Sequence, residues 1–151
     1  MSITADNLSA QAIWDLLEAR QREAAAKAAA QAVEAVAEQE RLRAAFMERE
    51  LLPEAKERVA SLIRKAIEVG EREPMVLRFP SAWLPDQGRG ITNHDPAWPD
   101  ALEGFPRAAY AFFKAELEPA GFQLRAQILD YPDGMPGDVG FFLGWKRPEE
   151  L

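Results

Sequence analysis

The only histidine of the chain, His94, stands next to last in a polar stretch, Asp86-Gln87-Gly88-Arg89-Gly90-Ile91-Thr92-Asn93-His94-Asp95. Imidazole beside a carboxylate is the pairing used for general-base work or for holding a metal ion. Arg89, flanked by Gly88 and Gly90, presents a planar fork that suits a carboxylate or a phosphate. Asp86, Arg89, His94 and Asp95 are therefore the candidate ligand-binding set, for a small molecule or an anion. The same residue types also build ordinary long loops, in which Asp side chains bond nearby backbone N–H groups. The competing expectation is that Asp86 and Arg89 bond the loop's own backbone.

A second cluster is Asp130, Asp133 and Asp138, three carboxylates within nine residues. Oxygen donors at that density suit a hard cation. No Glu follows at the twelfth position of an EF-hand loop, however, and Pro132 and Pro136 interrupt the run. The pattern reads as a turn, and no metal site is assigned. Neither Gly88-Arg89-Gly90 nor the pair Gly134 and Gly137 matches a phosphate-binding fingerprint. There is no G-x-S-x-G sequence to set up a serine nucleophile. The absence of Cys removes disulfides, thiolate metal sites and thiol nucleophiles. No catalytic residue and no cofactor is assigned.

These residues must be positioned by a chain of 151 amino acids with 18 Lys+Arg against 25 Asp+Glu, a formal net charge of −7. An acidic chain is a poor binder of nucleic-acid phosphates. No apolar run reaches the roughly 20 residues of a membrane span. The start, Met1 to Asp6, lacks a basic segment followed by an apolar core, so the expected location is cytoplasmic. Neither nucleic acid nor membrane is expected as a partner.

Composition changes near residue 52. All 9 Gly and all 11 Pro lie in residues 53–151. The division expected is a helical segment, residues 1–52, and a compact α+β domain, residues 53–151. The helix should run from Ser9 to Leu52, with Asp6, Asn7 or Ser9 as its N-cap. Glu18 with Arg22, and Glu23 with Lys27, fall at i,i+4 in the favourable order. Its middle is Ala-rich, with nine Ala in residues 24–37. Larger apolar residues gather at the ends, with Val33 and Val36 between. Such a helix is about 66 Å long, whereas a domain of about 100 residues has a radius of gyration of only ~13 Å. Its apolar residues then need a helix partner, in a coiled-coil-like pair or by folding back as a hairpin; the competing expectation is a solvated single helix held by its i,i+4 pairs. Trp14, Leu17, Val36, Phe46 and Met47 are the expected interface residues, with Trp14 the strongest anchor. The partner is a second copy or another protein, engaged through residues 1–52.

Pro53 either kinks this helix or separates it from a second one at 54–69, whose Val59, Leu62, Ile63, Ala66 and Ile67 form one stripe. A short strand is expected over Pro74–Pro80, with Met75, Leu77 and Phe79 on one side. A polar loop follows over Ser81–Pro99, then a helix from Pro106 to Glu118. Phe122, Leu124, Ala126 and Ile128 alternate with polar residues. Val139, Phe141, Leu143 and Trp145 alternate with Gly140, Phe142 and Gly144. These two strands form a hairpin. The fold expected is α+β: a small, mainly antiparallel three-stranded sheet with one helix on its dry face. The 54–69 helix is expected over the other face, above Arg78, Arg125 and Gln127. The function that fits is a non-enzymatic cytoplasmic interaction or adaptor protein. The alternative is a small-molecule or anion-binding domain, or an enzyme, using loop 86–95.

Overall fold

Ser9 starts the first helix. Its Oγ accepts the Ala12 N–H at 3.0 Å, which satisfies one orphan donor of the first turn, and its carbonyl accepts the first intrahelical bond, from the Ile13 N–H at 3.1 Å. Asp6 and Asn7 instead belong to a short 3-10 turn, Ala5–Asn7. In the structure, a computed structural model that describes residues 2–150, the chain divides into two compact units, Met1–Ala44 and Ala45–Leu151. Helix α1 spans Ala10–Met47, 38 residues without interruption, about 57 Å. The hairpin alternative is thus not adopted. Its ion pairs are Glu38–Arg41 and Glu40–Arg43 at i,i+3, rather than the expected i,i+4 pairs nearer the start.

α1 ends five residues before Leu52. Proline lacks an N–H, clashes with the carbonyl four residues back and disfavours helical backbone at the preceding position. Pro53 therefore forbids continuation through 49–52 and separates two helices. α2 spans Ala55–Val69. It closes in a Schellman motif, with the Gly70 N–H on the Ile67 carbonyl at 3.2 Å and the Glu71 N–H on the Ala66 carbonyl at 2.8 Å.

In the second unit, strands β1 (Met75–Pro80), β2 (Phe122–Ile128) and β3 (Asp138–Trp145) form one sheet of order β1-β3-β2, antiparallel throughout. The hairpin register sets Phe122 opposite Trp145, Leu124 opposite Leu143 and Ile128 opposite Val139. The expected alternation of β1 fails at one place. Met75 pairs with Phe142 but Leu77 pairs with Phe141, which leaves Val76 as an extra residue. This bulge sends Met75 to the outer face and lets Val76 pack on the core with Leu77.

α4 (Gly104–Phe112) begins two residues before Pro106 and continues as a π-helical turn, Phe113–Leu117. It lies on the dry face of the sheet. Phe79, Leu84, Ile91, Leu102, Val139 and Phe141 form one buried cluster; Phe113, Leu117 and Leu143 form another. α2 joins the second cluster through Val59 and Ile63. It therefore shares the dry face with α4, and the placement over Arg78, Arg125 and Gln127 is corrected. An apolar stripe gains nothing from that outer face, because Arg125 is already paired with Glu73 at 2.6 Å, bonded to Gln127 and stacked 4.6 Å over Phe142.

Candidate functional site

Loop 81–103 is not a polar connection lying over the surface. It folds as short turns and one turn of helix, α3 (Arg89–Thr92), and Leu84, Ile91 and Leu102 enter the core. Trp83 meets Phe46 at 5.2 Å between ring centroids, and Trp98 meets both Tyr110 and Phe141 at 5.6 Å. These aromatic contacts pin the loop down at both ends.

Asp86 directs both carboxylate oxygens at backbone. Oδ1 accepts the Gly88 N–H at 2.9 Å and Oδ2 accepts the Gly90 N–H at 3.0 Å, which caps the start of α3. His94 sits at φ +54°, in the left-handed region. It is the residue after the C-cap of α3: its N–H bonds the Ile91 carbonyl at 3.1 Å and the Asp95 N–H bonds the Gly90 carbonyl at 2.8 Å. That is a second Schellman motif, with His where Gly or Asn is usual. The Asp95 Oδ1 accepts the Ala97 N–H at 2.9 Å. The side chains of Arg89, His94 and Asp95 are exposed. Backbone bonding thus places Asp86, His94 and Asp95, whereas the Arg89 side chain, expected on the loop's backbone, bonds nothing among the described residues, and no ion pair or hydrogen bond joins one of the four side chains to another.

Asp86→Ala is therefore expected to destabilise the protein by about 2 kcal/mol, because two part-buried N–H groups lose a charged acceptor. Arg89→Ala should stay within about 0.5 kcal/mol, as exposed substitutions usually do. Urea unfolding of the two variants checks the contrast; equal losses would remove the capping account.

The 130–138 turn is built in the same way. The Asp130 Oδ1 accepts the Asp138 N–H at 2.9 Å, and the Asp138 carboxylate takes the Arg78 Nε at 2.8 Å. Among the described residues no group of three His, Asp or Glu side chains is placed to hold a metal ion.

The expected interface residues separate into two sets. Trp14, Leu17 and Val36 are exposed on α1 at 62%, 44% and 65%, and no described residue of α1 is buried. Phe46 and Met47 are half-buried in the second unit. The Phe46 ring lies 5.7 Å from Phe79 and 5.6 Å from Phe105, besides its contact with Trp83.

A cavity absent from the sequence reading lies in the second unit, between α2 and the dry face of the sheet. Its volume is about 760 Å³. Val59 and Leu62 of α2 face Val76, Leu124 and Leu143 of the strands across it, and Phe105, Ala109 and Phe113 close one side. Its exposed lining residues, which mark the mouth, are Arg49 to Leu52, Arg58, Leu62 and Arg78. The signal in the sequence is Leu51-Leu52 before a helix-stopping Pro53, two large apolar side chains that fall outside both helices once α1 ends at Met47. Next in sequence to the lining residue Phe113, Lys114 donates to both carboxylate oxygens of Glu118, at 3.1 and 2.9 Å, and that hydrogen bond holds the ammonium above the ordinary lysine value.

No protein-family model, no curated protein and no solved structure matches this chain. Among the described residues no helix is long and apolar enough to cross a membrane.

Proposed function

We propose that this is a non-enzymatic interaction protein of the cytoplasm whose α1 helix binds a second copy of itself. The observation that carries the reading is the exposure of large apolar side chains on α1, including Ile13, Trp14, Leu17 and Leu42, on a helix with no buried described residue. At 3.6 residues per turn, Ile13, Leu17 and Leu42 fall within about 40° of one another around the cylinder. Val33 and Val36 lie on another side. The positions Trp14, Leu17, Gln21, Ala24, Ala28, Gln31, Ala35, Glu38 and Leu42 alternate in steps of three and four, the spacing of a paired-helix seam. Ala24, Ala28 and Ala35 in that seam permit close approach of two backbones, while Trp14 and Leu42 supply apolar area near its ends.

Charge favours an antiparallel pair. With the helices crossing near Lys27, Arg20 of each copy lies opposite Glu34 of the other, and neither residue is engaged in an ion pair within the described chain. The acidic balance speaks against nucleic acid or an anionic membrane as the partner.

Light scattering on the full chain over a concentration series tests the reading. The expected mass is twice the 16.9 kDa monomer, and Trp14→Glu with Leu17→Glu should return it to one. A full chain that remains monomeric at every concentration, or a double variant that remains dimeric, would remove α1 as a self-association element.

A further inference from the structure

We propose that the cavity beneath α2 binds a single-chain amphiphile with a carboxylate head, its hydrocarbon tail between α2 and the sheet and its carboxylate at Arg49 and Arg58. The inference is independent of α1 and of any dimer.

Three observations carry it. The first is volume. Protein interiors are packed to crystal-like density with few voids larger than a water molecule, and ligand sites run from roughly 300 to 1,000 Å³. A space of about 760 Å³ inside a unit whose Phe79, Val139 and Phe141 are fully packed belongs with the second group. It exists because α2 touches the second core cluster mainly through Val59 and Ile63 while Leu62 stays 37% exposed.

The second is the chemistry of the walls. Apart from Arg49, Glu50, Arg58 and Arg78, every lining residue is Ala, Val, Leu or Phe. Nothing inside can hydrogen-bond a sugar, a base or an amide through its side chain, and burying such groups unpaired costs several kcal/mol. A hydrocarbon chain meets no such penalty and gains from leaving water.

The third is the charge at the mouth. Arg78 is occupied by Asp138 at 2.8 Å. Neither Arg49 nor Arg58 has a carboxylate partner among the described residues, although the chain is acidic overall. The Arg49 guanidinium rests 4.6 Å over the Phe105 ring, which fixes it at the lip. Glu50 is the one acid there. Two unpaired guanidinium forks beside an apolar space match a carboxylate attached to a long chain.

The test is a titration of the full chain with cis-parinaric acid, a fluorescent long-chain carboxylate, kept below its micelle concentration. The expected result is saturable binding of one probe per chain. Palmitate should displace it, and hexadecanol, with the same chain length and no charge, should need about tenfold more. Arg49→Gln with Arg58→Gln should weaken the acid about tenfold and leave hexadecanol unchanged. Ala109→Phe, which fills the space, should lose binding; if its circular dichroism shows that it is not folded, Leu62→Trp at the exposed lip replaces it with the same expectation. Absence of saturable binding, equal displacement by hexadecanol, indifference to the double Arg variant, or full binding by a folded cavity-filled variant would each overturn the proposal.

Discussion

Replacing Phe46 by Ala is expected to destabilise the unit Ala45–Leu151 by about 3 kcal/mol, toward the lower end of Phe→Ala losses because the ring is half-buried. Phe46 touches Phe79, Trp83 and Phe105, with centroid separations of 5.7, 5.2 and 5.6 Å. Its loss opens a hole among three aromatic neighbours that come from β1, the following turn and the first turn of α4. The Arg49 guanidinium also loses one of its two ring contacts. In thermal unfolding this corresponds to a fall of roughly 13 °C for a unit of this size. The Trp14→Ala variant is the internal comparison. Trp14 is 62% exposed, so in a monomer its truncation should cost less than about 0.5 kcal/mol. Calorimetry of both variants, at a concentration where the chain is monomeric, decides the matter. Equal effects would mean that Phe46 contributes no more to this core than a surface aromatic. The same reasoning makes a chain starting at Ala45 more stable than one starting at Pro53, because only the longer one keeps Phe46 and Met47.

Gly104→Ala is expected to cost about 3 kcal/mol, from two causes that add. The backbone at Gly104 has φ +58°, where a Cβ is strained by roughly 1–2 kcal/mol. A Cβ there would also stand 2.7 Å from the Met47 carbonyl oxygen and 3.1 Å from the Met47 Cβ. A backbone carbonyl at the end of α1 cannot yield as a flexible side-chain tip can, so the α4 start would have to shift away from Met47. Gly134→Ala separates the two causes. Gly134 has φ +78° but nothing within 4 Å of the added carbon, so it should carry the conformational cost alone, about 1 kcal/mol. Guanidinium unfolding midpoints of the two variants check this. A Gly134→Ala loss as large as that of Gly104→Ala would mean that the Met47 contact adds nothing.

Local chemistry made much of the fold readable. Pro53 and Gly70 bound α2 because one cannot continue a helix and the other relieves the left-handed cap. The alternation in 122–128 and 139–145 yields the hairpin and its dry face, since the pleat sends successive side chains to opposite sides. The candidate residues of loop 86–95 are visible by type, and Asp86 as a backbone-bonding residue follows from the habit of Asp in loops of accepting backbone N–H groups a few residues on.

What required the folded chain was every feature that depends on distance between segments remote in sequence. The bulge at Val76 arises from how β1 seats against β3, and one extra residue reverses the facing of Met75. Leu84, Ile91, Trp98 and Leu102 follow a period that fits neither helix nor strand, and a shared core gathers them. The aromatic neighbours of Phe46, supplied by residues 79, 83 and 105, lie far from it in sequence and meet it only in the fold. The cavity lies furthest from the sequence. The stripe of α2 states that the helix has an apolar face, as periodicity does for any amphipathic helix. How far that face stands from the sheet is set by the side chains of β1, β2, β3 and α4 together, and this separation leaves about 760 Å³ open beneath Leu62.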